Sequence, residues 1–200
     1  MPTGVHIRDA RQQLLDAAER VLLRAGPSGL TSRAVTTEAD VAKGVLHRHF
    51  ADFDDFLAEL VRDRIARVAG HTAALRATAG TATVAANLTR ALVEVFDPVA
   101  VAVVGLVVFR DELRARLRDT AHAPGVPILT EATAAVAGYL GDEREMGRIA
   151  ADADVDALAL ALVGGVHLLH AGRRPTPPSA GAVDLVVSAV VADVVQRRLL

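Results

Sequence analysis

Between Gly29 and Phe56 the chain reads GLTSRAVTTEADVAKGVLHRHFADFDDF, and this stretch limits the fold more than any other. Its apolar residues recur at helical spacing in two short runs, with a third helix starting after Phe50. Thr31 stands where its hydroxyl can accept a hydrogen bond from the exposed N–H groups of a helix start. Ala34, Val35 and Ala39 give that first run a small apolar face. Asp40-Val41 falls at the turn. Ala42 to Phe50 forms the second run, with Val45, Leu46 and Phe50 apolar and Lys43, His47, Arg48 and His49 polar or basic. A short helix with apolar anchors and a basic outer face has the size and chemistry that fit a DNA major groove.

The flanking sequence reads as helix as well. From about Val5 to Ala25, the residues Ile7, Leu14, Ala18, Val21, Leu22 and Ala25 recur on one helical face, and Gly26-Pro27 ends it. Asp52 is an N-cap for a helix to about Ala79, with Asp54 and Asp55 in its positive first turn. A further helix covers Thr81 to Phe96. Asp97-Pro98 then reads as an N-cap and first helical residue, opening one helix through Leu117 to near Ala123-Pro124-Gly125. Helices are expected over Ile128 to Leu140 and from Asp154 to about 171. The polar stretch Asp142 to Ala153 reads as loop or a frayed helical end, and Arg173 to Gly181 as a linker. Ala182 to Leu200 is rich in β-branched valine, but the spacing 183, 186, 187, 190, 191, 194 favours helix over strand. No hairpin signal or internal repeat occurs, so the expected class is all-α.

The longest apolar run, Val99 to Phe109, is too short to span a bilayer and reads as a buried helix, so no membrane partner is expected. No cysteine is present, which excludes disulfides and thiolate chemistry. No basic, apolar, then small-residue leader opens the chain, and the expected location is cytoplasmic. Net charge is −2, so overall basicity does not announce a nucleic-acid binder. Its distribution says more: residues 1–50 carry seven Lys/Arg against five Asp/Glu, and residues 51–200 carry fifteen against nineteen. A locally +2 head thus precedes a −4 body.

The stretches Leu30-Thr31-Ser32-Arg33-Ala34-Val35 and Leu46-His47-Arg48-His49-Phe50, followed by Phe56-Leu57, resemble the DNA-binding domain of the TetR family of bacterial transcriptional repressors. The specific match covers about residues 8 to 60; beyond it, helical content, length and layout agree. The resemblance implies a three-helix N-terminal domain with a helix-turn-helix over residues 1–51. It also implies a C-terminal helical bundle over 52–200 for ligand binding and dimerisation. Three positions depart from the family pattern. Asp40 replaces the usual turn glycine, His47 the usual tyrosine, and Phe53 stands where a phosphate-binding lysine is common.

The DNA-binding candidates are therefore Thr31, Ser32, Arg33, Lys43, Gly44, Val45, His47, Arg48 and His49. Arg33 suits a guanine edge or a phosphate, its bland alternative being an ion pair with a neighbour such as Glu38. Thr31 and Lys43 suit phosphate oxygens, Gly44 permits close backbone approach, and Val45 can touch a thymine methyl. The resemblance also implies an effector pocket in the body, for which His71, Phe96, Phe109, Arg110, Tyr139 and His167 are candidates; each alone reads as ordinary core. His167 and His170 lack a clear third metal ligand, and Asp111-Glu112 and Asp142-Glu143 read as solvated charges. No nucleophile–base pair or phosphate-binding glycine loop is visible, so neither an enzyme nor a cofactor is expected.

The segments 154–171 and 182–199 carry apolar surface wider than one core-facing stripe requires. A second buried face between subunits is the expected use, as homodimerisation in the TetR family also implies. The resulting expectation is a DNA-binding regulator, acting as a repressor on a near-palindromic operator and released by a small-molecule effector. A helical ligand-binding or interaction protein with weak or lost DNA binding is the alternative, supported by the acidic run Asp52, Asp54, Asp55.

Overall fold

The computed structural model describes residues 7–118, 125–171 and 177–195. They form ten helices: α1 Ile7–Gly29, α2 Ser32–Glu38, α3 Gly44–His49, α4 Phe53–Arg76, α5 Val84–Val95, α6 Pro98–Phe109, α7 Asp111–Arg118, α8 Pro127–Glu145, α9 Val155–Ala171 and α10 Ala180–Val191. No strand occurs among the described residues, only an isolated bridge between Ile149 and Val195. Two compact units emerge, one of residues 1–64 with 102–122 and the other of 65–101 with 123–200. No single helix among the described residues is long and apolar enough to cross a membrane.

In the first unit α1 packs on α2 and α3. Gly26 adopts φ 69° and ψ −176°, so the helical path breaks there, and a short helical turn follows to Gly29. Pro27 lacks the N–H that would continue the helix. Gly29 is required by space, because a Cβ there would lie 2.3 Å from the Ala25 Cβ. The buried side of α1, including Leu14, Ala18, Val21 and Leu22, faces inward as its spacing predicts. Leu30, Val35, Leu46, Phe50 and Phe56 complete this core.

The expected single helix from Pro98 to beyond Leu117 is instead two. Asp97 caps α6 through bonds from Val99 N (2.8 Å) and Ala100 N (3.0 Å). The helix stops at Phe109, and α7 restarts with Asp111 and Glu112 in its first turn, where carboxylates favour the helix dipole. The expected end near residues 123–125 falls largely outside the described residues.

The second unit packs α5 on α10, α8 on α9, and α9 on α10. Here α8 runs five residues past Leu140, so the first part of the stretch expected to be loop or a frayed helical end is helix. The reason is Glu143, which continues the buried face of Val136, Tyr139 and Leu140 and is itself fully buried. Arg148 stands 3.2 Å from its carboxylate, and Asp142 is held by two bonds from Arg76 (2.9 and 2.7 Å). Neither acid is a freely solvated charge, and Asp111 pairs with Arg114. α4 ends at Arg76 rather than near 79, and Thr83 caps α5 at its Ala86 N–H. The valine-rich end is helical: α10 starts at Ala180 behind the N-cap Ser179, earlier than expected, and buries Val183, Val187 and Val191. Residues 196–200 of that expected helix, and 173–176 of the expected linker, lie outside the described residues.

Candidate nucleic-acid interface

α2 and α3 meet at a turn whose geometry is set by Asp40. Its φ is 52°, the left-handed region that non-glycine residues seldom adopt and aspartate tolerates better than most. The turn closes through Asp40 N–H to Thr37 O (3.2 Å) and Val41 N–H to Thr36 O (3.0 Å). Gln13 of α1 donates to Ala39 O at 2.8 Å and fastens the turn from the side. Thr31 caps α2 as its sequence position predicts, accepting from Ala34 N at 3.1 Å.

Leu46 and Phe50 anchor α3 inward, Phe50 meeting Phe56 edge-on at 5.0 Å. With those anchors buried, Lys43, Gly44, His47 and Arg48 are exposed on the outside, while Val45 and His49 are half-buried. Lys43 occupies the N-cap position of α3 without a side-chain capping bond. A Cβ added at Gly44 would meet nothing within 4 Å, so this backbone is open to approach.

Thr31 and Arg33 are exposed beside them on α2. The ion pair between Arg33 and Glu38 does not form. Glu38 is taken by Arg20 and Arg24, each at 2.8 Å, and these arginines hold its carboxyl below the usual range, Arg20 foremost. Among the described residues no partner holds the guanidinium of Arg33, nor the charged groups of Lys43 and Arg48. Ser32 differs from its neighbours: it is half-buried, and its Oγ is enclosed without a hydrogen-bond partner. Its hydroxyl is therefore not presented with the other candidates.

The acidic start of α4 is also answered locally. Arg116 donates two bonds to Asp52 (3.1 and 2.8 Å), which itself caps α4 by accepting from Asp55 N at 2.7 Å. Arg116, then the Asp55 backbone, keeps the Asp52 carboxyl below its ordinary range. Arg110 lies over the Phe53 ring (5.9 Å), donates to Leu30 O (3.3 Å) and stands 3.8 Å from Asp54. Phe53, stacked on Phe56, is a packing residue here. Sequence reasoning missed Gln13, Arg20, Arg24 and Arg116 in this region. The only available signal was their polarity on helices otherwise read for apolar spacing.

The six pocket candidates are divided between the units, Phe109 and Arg110 in the first and His71, Phe96, Tyr139 and His167 in the second. Phe109 is 81% exposed and so is not a buried wall, and Arg110 is occupied by Leu30, Phe53 and Asp54. His71 is half-exposed and paired with Glu94 at 3.5 Å. Phe96 and Tyr139 are buried in the second unit. Phe96 lies between His167 (5.9 Å) and His170 (5.6 Å). The His167 Nδ1 is buried without a hydrogen-bond partner, and burial first, then His170, holds this imidazole below its ordinary pKa. The Tyr139 hydroxyl accepts a bond from Asn87 at 3.2 Å.

Residues 14–60 match the family model for bacterial regulatory proteins of the tetR family. No curated protein matches the chain in sequence. Solved structures do match over almost the whole chain. A TetR-family member from Streptomyces coelicolor A3 is 26% identical with a TM-score of 0.64, covering 92% of this chain and 98% of its own. SmeT, the repressor of the Stenotrophomonas maltophilia multidrug efflux pump SmeDEF, is 17% identical with a TM-score of 0.69, covering 95% and 92%. The transcriptional regulator FadR of Bacillus subtilis, solved with stearoyl-CoA, is 18% identical with a TM-score of 0.67, covering 90% and 97%. The last two share the fold.

Proposed function

We propose that this chain, a member of the TetR family of bacterial regulatory proteins, is a repressor that binds a near-palindromic DNA operator as a homodimer and leaves it on binding a small effector. The observation that carries this reading is the set Arg33, Lys43 and Arg48. All three are exposed on the α2–α3 pair and, among the described residues, have no ion-pair partner. In this division of labour residues 1–51 read DNA and residues 52–200 bind effector and partner subunit. Binding of both half-sites requires two heads one helical turn of DNA apart, which a dimer supplies. The alternative of lost DNA binding is weakened, because its support, the acidic start of α4, is engaged by Arg116 and Arg110.

Recovering DNA cross-linked to the protein in cells, followed by salt-dependent shift assays on the recovered fragment, tests the reading. Arg33→Ala is expected to cost about 1–3 kcal/mol on that fragment and to relax preference at one position per half-site. Lys43→Ala is expected to weaken all sequences alike and flatten the salt dependence. Unchanged affinity in both variants would remove the recognition surface from α2–α3.

The dimer reading draws on α9 and α10. Leu160 (66%), Leu168 (74%) and Leu185 (73%) are exposed, and with Ala157, Ala161 and Gly164 they extend a small-residue and leucine stripe along the outside of α9 and α10. Val187 is fully buried within its own unit, so the informative substitutions are on the outer stripe. Leu168→Glu and Leu185→Glu are expected to weaken dimerisation at least tenfold, about 1.4 kcal/mol, while leaving the melting curve of the separated subunit in place. Sedimentation of the wild type as a monomer at micromolar concentration would overturn the dimer. For the effector, the favoured place is the neighbourhood of Phe96 and His167, an aromatic ring beside an enclosed imidazole nitrogen. A mostly apolar ligand with one polar group suits that chemistry.

A further inference from the structure

We infer that an open depression beside α2 is a seat for a DNA backbone phosphate, with Arg24 and Thr37 as contacts beyond Thr31 and Arg33. This rests on the DNA-binding reading above. The depression is lined by Arg24, Thr31, Arg33, Ala34, Thr37 and Glu38. Two of these are guanidinium groups at the surface: the Arg24 side chain is 64% exposed, and Arg33 is exposed as well. The only carboxylate in the lining is Glu38, and both of its oxygens are already bonded, Oε1 to Arg20 Nε and Oε2 to Arg24 Nη2, at 2.8 Å each. Arg24 and Arg33 against Glu38 give the lining a net charge of +1, and Arg20, bonded to Glu38 from outside the lining, adds a further positive charge nearby.

The donors are also left over in the right number. A guanidinium carries five N–H donors in a planar fork, and the bond to Glu38 uses one of those on Arg24. The Thr31 oxygen accepts from Ala34 N, so its O–H proton stays available to donate. Thr37 is exposed on the next turn of α2, and its hydroxyl has no partner among the described residues. Ala34 contributes the smallest side chain of the lining. A tetrahedral oxyanion with several acceptor oxygens matches forked donors flanked by hydroxyls. Because Thr31 and Arg33 belong to the proposed recognition surface, the anion that arrives is a phosphate of the duplex that α3 enters. Glu38 then has two effects: it orients Arg24, and its negative charge moderates the attraction.

The contact is sequence-independent, so a short fluorescently labelled duplex of mixed sequence serves as the probe, read by anisotropy through a salt series. Arg24→Ala is expected to weaken binding several-fold and to reduce the slope of log K against log salt by about 0.9. Arg24→Lys is expected to keep that slope. Glu38→Gln, which retains a bond for Arg24 but removes the charge, is expected to tighten binding several-fold. Melting temperatures of each variant separate a folding defect from a lost contact. An Arg24→Ala protein with wild-type melting and an unchanged salt slope would overturn the seat, as would weaker binding by a normally folded Glu38→Gln. If Lys43→Ala flattens the slope while Arg24→Ala does not, only the seat fails. If the wild type shows no salt-dependent DNA binding, the DNA reading and the seat fail together.

Discussion

Phe56→Ala is expected to lower the unfolding free energy of the first unit by about 3–5 kcal/mol and to abolish DNA binding with it. Phe56 is fully buried on the second turn of α4. It meets Phe50 edge-on at 5.0 Å and stacks on Phe53 at 5.7 Å, and Arg11 covers the far Phe50 ring at 5.2 Å. Phe50 is the residue that ends α3, so the cluster fixes where α3 stops and how it leans. Aromatic pairs of this kind add about 0.5–1.5 kcal/mol each beyond the area they bury. Truncation removes both pairs and leaves a cavity that few neighbours can close, because only five phenylalanines and one tyrosine occur in the chain. Phe56→Leu keeps much of the volume and is expected to cost less than half as much. Denaturant unfolding followed by far-ultraviolet circular dichroism measures both. A loss under about 1 kcal/mol for Phe56→Ala would mean that the cluster does not anchor α3.

Arg148→Ala is expected to destabilise the second unit by about 3 kcal/mol, since it strips the counter-charge from a buried carboxylate. Glu143 is fully buried. One of its oxygens accepts from Gly80 N at 3.3 Å, and the other has no hydrogen bond and relies on the 3.2 Å ion pair with Arg148. The same arginine donates to Thr81 O at 3.3 Å and to Ala82 O, tying down the turn where Ala82 holds a positive φ of 42°. Asn87 binds Thr78 O (3.2 Å), Thr81 O (2.9 Å) and the Tyr139 hydroxyl (3.2 Å) from the other side. Burial, and then Glu143, pushes the Tyr139 phenol above its ordinary pKa, so it remains a neutral member of the network. Adding Glu143→Gln to Arg148→Ala is expected to recover part of the loss, because an amide needs no counter-charge. Equal stability of wild type and Arg148→Ala, within about 0.5 kcal/mol in urea, would show that the ion pair does not sustain this network.

Much of the architecture is written in short-range signals. Thr31, Asp52 and Asp97 cap the helices that their positions announce, and Gly26-Pro27 breaks α1 where expected. The spacing of apolar residues identified Leu46 and Phe50 as the anchors of α3, and both are buried. These signals work because a cap, a proline or a helical period acts within a few residues, and its energy does not depend on distant chain. The exposed basic side of α3 follows from the same period once its anchors are buried.

What only the tertiary structure decided are the partners of charges. Glu38 lies five residues from Arg33, yet it binds Arg20 and Arg24, 18 and 14 residues away, which leaves Arg33 without an ion-pair partner among the described residues. Arg116 reaches Asp52 across 64 residues, and Arg110 reaches Leu30 across 80. Those pairings give Asp52 and Asp54 of the acidic helix start positively charged neighbours and hold Arg110 beside Leu30 and Phe53. Glu143 reads as a surface acid in a polar stretch, and it is buried because Gly80, 63 residues away, and Arg148 meet it there. Long charged side chains carry no period that marks their destination. The cost of burying a charge is lifted only by groups that the fold brings beside it. Sequence therefore determined the helices, their caps and the exposed basic side of α3, while packing between distant segments determined which charges on the surface remain unpaired among the described residues.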